Sequence, residues 1–452
     1  MTDAARPIRN PRSVASILAS SHVVLWLAFA LVQVWGVGLN LGAASYGFSD
    51  VTNIYRHWVE QSVFAGYTVG IDGVFVYPLL AFVPMVASAM FGFASFGVVW
   101  LVMVVLLNTV ALAFVTGWGR RHAPLAAGWW WTLFLLLLGP ISFARIDAIT
   151  VPFGLVAVVL IARRPRVAAV LLTIGAWMKI WPAALVGAML IARRDRYSIL
   201  GTAAGVSVII VVIALAFGSG LNVFSFITQQ TGRGLQIEAP VTTFWMWQAF
   251  LGVPGASVYY DMDILTYQVT GQGVALASSL MTPLLVVVVG LVCALGGIAV
   301  RRGASAATLL GPLFLALVVA LIAVNKVGSP QFISWLAVPI VFGLLARPLG
   351  GGISFRVPAA LVLALALLTQ FIYPYFYSQL VALDPGMLLI LTMRNLMMLV
   401  LLGWSITALA RLARRPVAPG QNLPSPPRTA QQDVPTAALG TDGALAIPAK
   451  ME

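Results

Sequence analysis

Basic residues in this chain come in small clusters separated by long apolar stretches. The clusters are Arg6, Arg9 and Arg12; Arg120 and Arg121; Arg163, Arg164 and Arg166; Arg193, Arg194 and Arg196; Arg301 and Arg302; Arg347 and Arg356; and Arg411, Arg414 and Arg415. An apolar run in lipid has no water to satisfy its backbone, so it must close its own hydrogen bonds as a helix. Composition agrees. Of 452 residues 61% are hydrophobic and 9% charged, with a mean hydropathy of +0.98, against about a quarter charged in soluble domains. That is too little charge to cover a water-facing surface, which excludes a soluble enzyme. Disorder needs low hydrophobicity, and a single cysteine, Cys293, cannot build a disulfide framework. The expected fold class is an all-α polytopic membrane protein.

The clusters then set a topology. If all lie in the cytoplasm, an even number of crossings separates neighbours. The N-terminal residues 1–16 are cytoplasmic, and the run from Ile17 to Leu41 is a retained first helix, not a signal peptide. Residues 123–162 make a pair turning at Ile141–Asp147, 303–346 a pair turning at Asn325–Gln331, and 357–410 a pair turning at Tyr373–Gly386. Residues 167–192 hold two half-length helices meeting near Lys179, and 197–300 hold two helices around a long outer loop, about 220–272. In the first outer loop, about 42–95, the short run Pro78–Phe93 lies along the interface. The expectation is twelve crossings within residues 17–415, both termini inside, and a disordered cytoplasmic tail over 416–452. The net charge of +13 is then an orientation signal, with no need of nucleic acid.

In so apolar a chain, ionisable groups at membrane depth or in outer loops mark function by default. Asp50, Ile54, His57 and Trp58 have helical spacing that brings carboxylate and imidazole within reach, while Asp50 could equally cap the helix. Arg145 and Asp147 are two apart and do not face each other on a helix; they pair with other loops or with a ligand. Lys179, centred in an apolar hairpin, either snorkels or meets an anion. Glycines near and beside Arg233 in Thr231-Gly-Arg233-Gly234-Leu-Gln236-Ile-Glu238 allow close backbone approach to a ligand. Lys326 precedes the helix start Ser329-Pro330-Gln331, an arrangement suited to an anion. The Asp261-Met-Asp263 spelling reads as a solvated or weak ion site, and no metal or nucleotide motif is present.

In order along the chain, Asp50…Tyr55, Tyr77-Pro78-Leu79, Arg145-Ile-Asp147, Lys179-Ile-Trp181-Pro182, Arg233–Glu238 and Lys326-Val-Gly-Ser-Pro-Gln331…Trp335 resemble glycosyltransferase family 87. These are actinobacterial enzymes of GT-C fold that use polyprenyl-phosphate sugars, chiefly mannose. The resemblance implies a long first outer loop with interfacial helices and a catalytic aspartate at Asp50. It implies that Tyr55, His57, Tyr77, Arg145, Asp147, Lys179, Arg233, Gln236, Glu238, Lys326 and Gln331 contribute to substrate binding, with Arg233 and Lys326 foremost at the phosphate. The implied reaction is inverting transfer, outside the cytoplasmic membrane, to a lipid-anchored glycan, with membrane lipid and the lipid-linked donor as partners and no cofactor or metal. Two other readings stand beside it: an arabinofuranosyltransferase of the same chemistry, and a transporter of polyprenyl-linked sugars. The placement of charges at outer turns, with only Lys179 and Arg394 deep, favours an enzyme.

Overall fold

A computed structural model describes residues 20–42, 46–119, 125–229, 233–346 and 353–414. The N-terminal segment 1–16, the basic pair Arg120 and Arg121, Arg347, Arg415 and the tail 416–452 lie outside the described residues.

Helix α1 (His22–Leu41) starts at Ser21, whose hydroxyl accepts the Val24 N–H at 3.4 Å. The first loop carries a π-turn (Asp50–Tyr55), α2 (Arg56–Ala65) and the short α3 (Phe82–Ser88). Then follow α4 (Phe96–Val115), α5 (Ala126–Leu138), α6 (Asp147–Leu160), α7 (Pro165–Ala176), α8 (Pro182–Ala192) and α9 (Arg196–Ala216). Proline opens both α7 and α8, where its missing N–H costs nothing. The second long loop holds α10 (Thr243–Phe250) and a hairpin of β1 (Ser257–Asp261) and β2 (Thr266–Thr270). The chain returns through α11 (Val274–Arg301), α12 (Ala306–Ala323), α13 (Ala337–Ala346), α14 (Arg356–Gln370) and α15 (Pro385–Ala413).

Seven of these helices, α1, α4, α9, α11, α12, α14 and α15, are long and apolar enough to cross a membrane. Helix α12 is the buried axis, packed by α15, α11, α13 and α8. By contrast α9 and α11 turn apolar side chains outward: Val208, Ile209 and Val212 on one, Val286, Val287 and Leu291 on the other. So much exposed aliphatic surface suits lipid and not water. The architecture is that of a helical, membrane-embedded protein.

The helix pairs and their turns fall where the basic clusters and apolar runs place them. Beside the helices, the second long loop carries an antiparallel hairpin, in register from Ser257 opposite Thr270 to Asp261 opposite Thr266. Its strands, Ser-Val-Tyr-Tyr-Asp and Thr-Tyr-Gln-Val-Thr, are rich in aromatic and β-branched residues that favour a pleated surface.

Helices α7 and α8, of 12 and 11 residues, are only about 18 and 17 Å long. Trp177 at their joint donates its indole N–H to Ser207 Oγ at 3.0 Å, midway along α9, and its carbonyl accepts the Leu80 N–H at 2.9 Å. The first loop thus seals the tip of this half-height hairpin. Beneath that loop a second apolar core gathers Val51, Tyr55, Phe75, Met85, Trp100, Phe143 and Met178, separate from the main core around α12.

Candidate functional site

The tip of the half-height hairpin, the first loop and the turns before α6, α13 and α15 bring the ionisable residues together. Asp50 stands at the first position of the π-turn, and its Oδ2 lies 3.0 Å from Arg145 Nε. Arg145 also donates to the carbonyls of Gly47 and Ala144 and, at 3.1 Å, to the Tyr373 hydroxyl. Burial opposes the Arg145 charge, but Asp50 and the surrounding phenols outweigh it and hold the guanidinium above its ordinary pKa. Asp50 itself is 27% exposed, so the pair opens on one side.

Two residues on, the second pair runs the other way. Asp147 is buried in the first turn of α6; its Oδ1 accepts the Trp335 indole N–H and its Oδ2 lies 3.6 Å from Lys179 Nζ. Lys179 Nζ in turn sits 4.6 Å from the centre of the Tyr77 ring and 5.5 Å from that of Phe332. Trp181 and Trp335 stack at 5.7 Å behind the pair. Lys179 therefore neither snorkels nor stands alone; a carboxylate and two ring faces share its charge. Tyr55 ties the two pairs together. Its hydroxyl accepts the Ile146 N–H at 3.3 Å and lies 3.5 Å from the Tyr77 hydroxyl. Burial, reinforced by Tyr77, pushes its pKa well above the ordinary phenol value, so it stays neutral.

A cavity of about 450 Å³ opens between the hairpin and the start of α11. Arg233, Lys326, Gln268, Tyr259, Ser278 and Ser279 line it. Arg233 Nε is buried with no hydrogen-bond partner, and burial lowers the Arg233 pKa. Burial also lowers that of Lys326, and the neighbouring Arg233 charge adds to the effect. Tyr77 is within electrostatic reach of Arg233, which connects the cavity to the paired residues. Two cations set side by side over polar walls form a site for an anion.

Several expectations change here. The π-turn alters the spacing after Asp50, so no hydrogen bond or ion pair joins Asp50 to His57 among the described residues, and His57 is exposed. The N-cap position of the turn is Ser49 and not Asp50, and no side chain caps it. Glu238 is not presented to a ligand. It is buried against Arg394, 2.7 Å from carboxylate to guanidinium, and Asn395 of the same helix bonds Thr243 at 2.8 Å. Arg394, deep in α15, is thereby neutralised by a loop, and the pair fastens the second long loop to that helix. Gln236 is buried, its N–H donating to the Lys326 carbonyl at 3.0 Å, which ties the Arg233 and Lys326 segments together. Gln331 is buried in the short helix Pro330–Leu336. Asp261 is occupied by its own turn: Oδ1 accepts the N–H groups of Asp263 and Ile264, and Oδ2 accepts Gln268 Nε2 at 2.8 Å. Among the described residues no three His, Cys, Asp or Glu side chains gather as a metal site.

Sequence reasoning missed Tyr373, Gln268, Ser278 and Ser279. Tyr373 alone left a signal, a tyrosine beside a proline at the turn between two apolar runs; the others are ordinary polar residues that only folding brings to the cavity. Comparison with protein-family models, characterised proteins and solved structures gave no match.

Proposed function

We propose that this chain is an inverting glycosyltransferase of GT-C type, embedded in the cytoplasmic membrane, that transfers a sugar from a polyprenyl-phosphate donor to a lipid-anchored glycan. Mannose is the first choice of sugar, following the resemblance to family 87. The observations that carry the reading are one partly open carboxylate, Asp50, and a cavity lined by the neighbouring cations Arg233 and Lys326, with Tyr77 within electrostatic reach of both Arg145 and Arg233. The proposed topology is twelve crossings, with the paired residues and the cavity facing outside.

In this reading Asp50 takes the proton of the acceptor hydroxyl as its oxygen attacks the anomeric carbon. The bond from that carbon to the phosphate oxygen breaks, and the polyprenyl phosphate leaves with the electron pair. A phosphate monoester leaves without protonation, so no general acid is required, and Arg233 with Lys326 stabilises its charge. Arg145 occupies one carboxylate oxygen of Asp50 and fixes its direction; the other is available to the hydroxyl. The pairing of Arg394 with Glu238 supports an enzyme over a transporter, since the deep helix-borne cation is committed to the fold.

The test is Asp50→Asn in full-length chain reconstituted with polyprenyl-phosphate mannose or arabinose and a glycolipid acceptor. Transfer should fall by about two to four orders of magnitude with donor binding retained. Transfer at the parent rate would remove Asp50 from the chemistry, and parent protein that moves lipid-linked sugar across vesicles without transferring it would favour the transporter.

A further inference from the structure

At the end of the molecule marked by the clusters Arg163–Arg166 and Arg193–Arg196, two helices begin side by side. α7 opens after Arg164 and α9 after Asp195, and the two pack together. Neither start carries an acidic residue in its first turn, and neither is capped by a side chain. Uncapped N–H groups and the positive dipole ends of both helices therefore point toward one place. Around it stand six arginines, of which Arg163, Arg164, Arg166, Arg194 and Arg196 are exposed. Arg166 Nε donates to Ser198 Oγ, which links the two junctions directly. The nearby carboxylate, Asp195 at the N-cap of α9, is held by Arg193 at 2.8 and 3.1 Å and also acts on Arg166, but one carboxylate against these arginines leaves the cluster strongly positive.

We infer that this shelf binds the headgroup phosphate of an anionic phospholipid, with the acyl chains running along α9. A free anion would engage the shelf alone. What commits the site to lipid is the surface that continues from it. Val167, Tyr197 and Leu200 are 42%, 76% and 50% exposed immediately beyond the arginines, and exposed Val208, Ile209 and Val212 extend the apolar flank up α9. The Arg196 guanidinium lies 5.3 Å from the centre of the Tyr197 ring, the pairing of cation and aromatic that suits a membrane interface. Orientation of the chain in the membrane calls only for a count of positive charges. It does not call for two uncapped helix ends joined by a side-chain bond. This inference depends on membrane embedding and is independent of the sugar-transfer reading.

The experiment uses full-length protein in detergent, with phosphatidylglycerol or phosphatidylcholine of identical chains added and bound lipid counted by native mass spectrometry. Phosphatidylglycerol should be retained in preference, and Arg166→Gln with Arg194→Gln should reduce that preference by about tenfold or more, as expected for loss of a charge-assisted contact. The control pair Arg301→Gln with Arg302→Gln removes the same charge elsewhere and should leave it intact; an equal loss in both would reduce the effect to net charge and overturn the site. A second measurement needs no variant. Phenylglyoxal labelling of the parent protein should be blocked at the two clusters by phosphatidylglycerol. Equal protection by phosphatidylcholine, or by inorganic phosphate at the same concentration, would overturn the assignment to an anionic lipid.

Discussion

Asp147 and Lys179 test how a buried charge is kept. Asp147 is 1% exposed and serves two partners, the Lys179 ammonium and the Trp335 indole. Asp147→Ala leaves a cation without its carboxylate and should cost about 3–5 kcal/mol of stability. Asp147→Asn keeps an oxygen for Trp335 and should cost less, so the difference in unfolding free energy isolates the ionic part. Lys326 supplies a pH dependence. Burial first, and Arg233 second, lower its pKa, so it loses its proton at a lower pH than an ordinary lysine. An anion in the cavity favours the protonated form and raises the pKa again. Anion affinity should therefore weaken as pH rises through the window between the lowered free value and the higher bound value. Titration of donor affinity against pH checks this, and Lys326→Arg should shift the fall to more alkaline pH. An unchanged profile in that variant would mean that Lys326 does not face the phosphate.

At the scale of elements, the cavity depends on two loops meeting without side chains between them. A Cβ at Gly328 would collide with the backbone of Glu238 and Ala239. Backbone cannot swing aside as a side chain can, so Gly328→Ala must push the Lys326 segment away from the Arg233–Glu238 segment. The expected cost is about 1–3 kcal/mol in thermal unfolding, as for overpacking elsewhere. Anion affinity should fall further than stability alone accounts for, because the two cations would separate. Gly234 is the contrasting case. A Cβ there meets only the Gln268 side chain, which can rotate away, so Gly234→Ala should be the milder change in both assays. The hairpin also buries Val269 and Gln268, and Val269 donates its N–H to the Leu235 carbonyl at 3.1 Å. The wall of the cavity is thus backbone-bonded to the segment that carries Arg233.

At the scale of the whole molecule, the proposed topology sorts the charges by side of the membrane. Tyr197 stands in the first turn of the 21-residue α9, beside the arginine shelf, and Met262 lies in the hairpin turn of the long loop that follows the other end of that helix; both are exposed. In the proposed topology, with Cys293→Ala as background, a membrane-impermeant maleimide applied outside should label Met262→Cys and not Tyr197→Cys. Labelling of both from the outside would overturn it. The short α7 and α8 put the joint that carries Lys179 at mid-height on α9, where the first loop covers it.

Hydrophobic runs and arginine clusters are local signals, and by themselves they determined the membrane class, the order of the helices and the turns at which Asp50, Arg145, Lys179, Arg233 and Lys326 sit. They also identified the half-length pair around Lys179, because a run too short to cross is visible as a length. Only the tertiary structure decided the partners. Asp50 meets Arg145, Asp147 meets Lys179, and Glu238 meets Arg394, the last pair 156 residues apart. Composition shows which groups are costly to bury, but the compensating group arrives through packing, which no spacing encodes. The same reason hid the π-turn, which redirects Asp50 away from His57. It also hid the hairpin, whose strands look like a polar loop until β2 bonds the neighbouring segment, the Leu235 carbonyl accepting the Val269 N–H and the Tyr267 carbonyl accepting the Ile237 N–H.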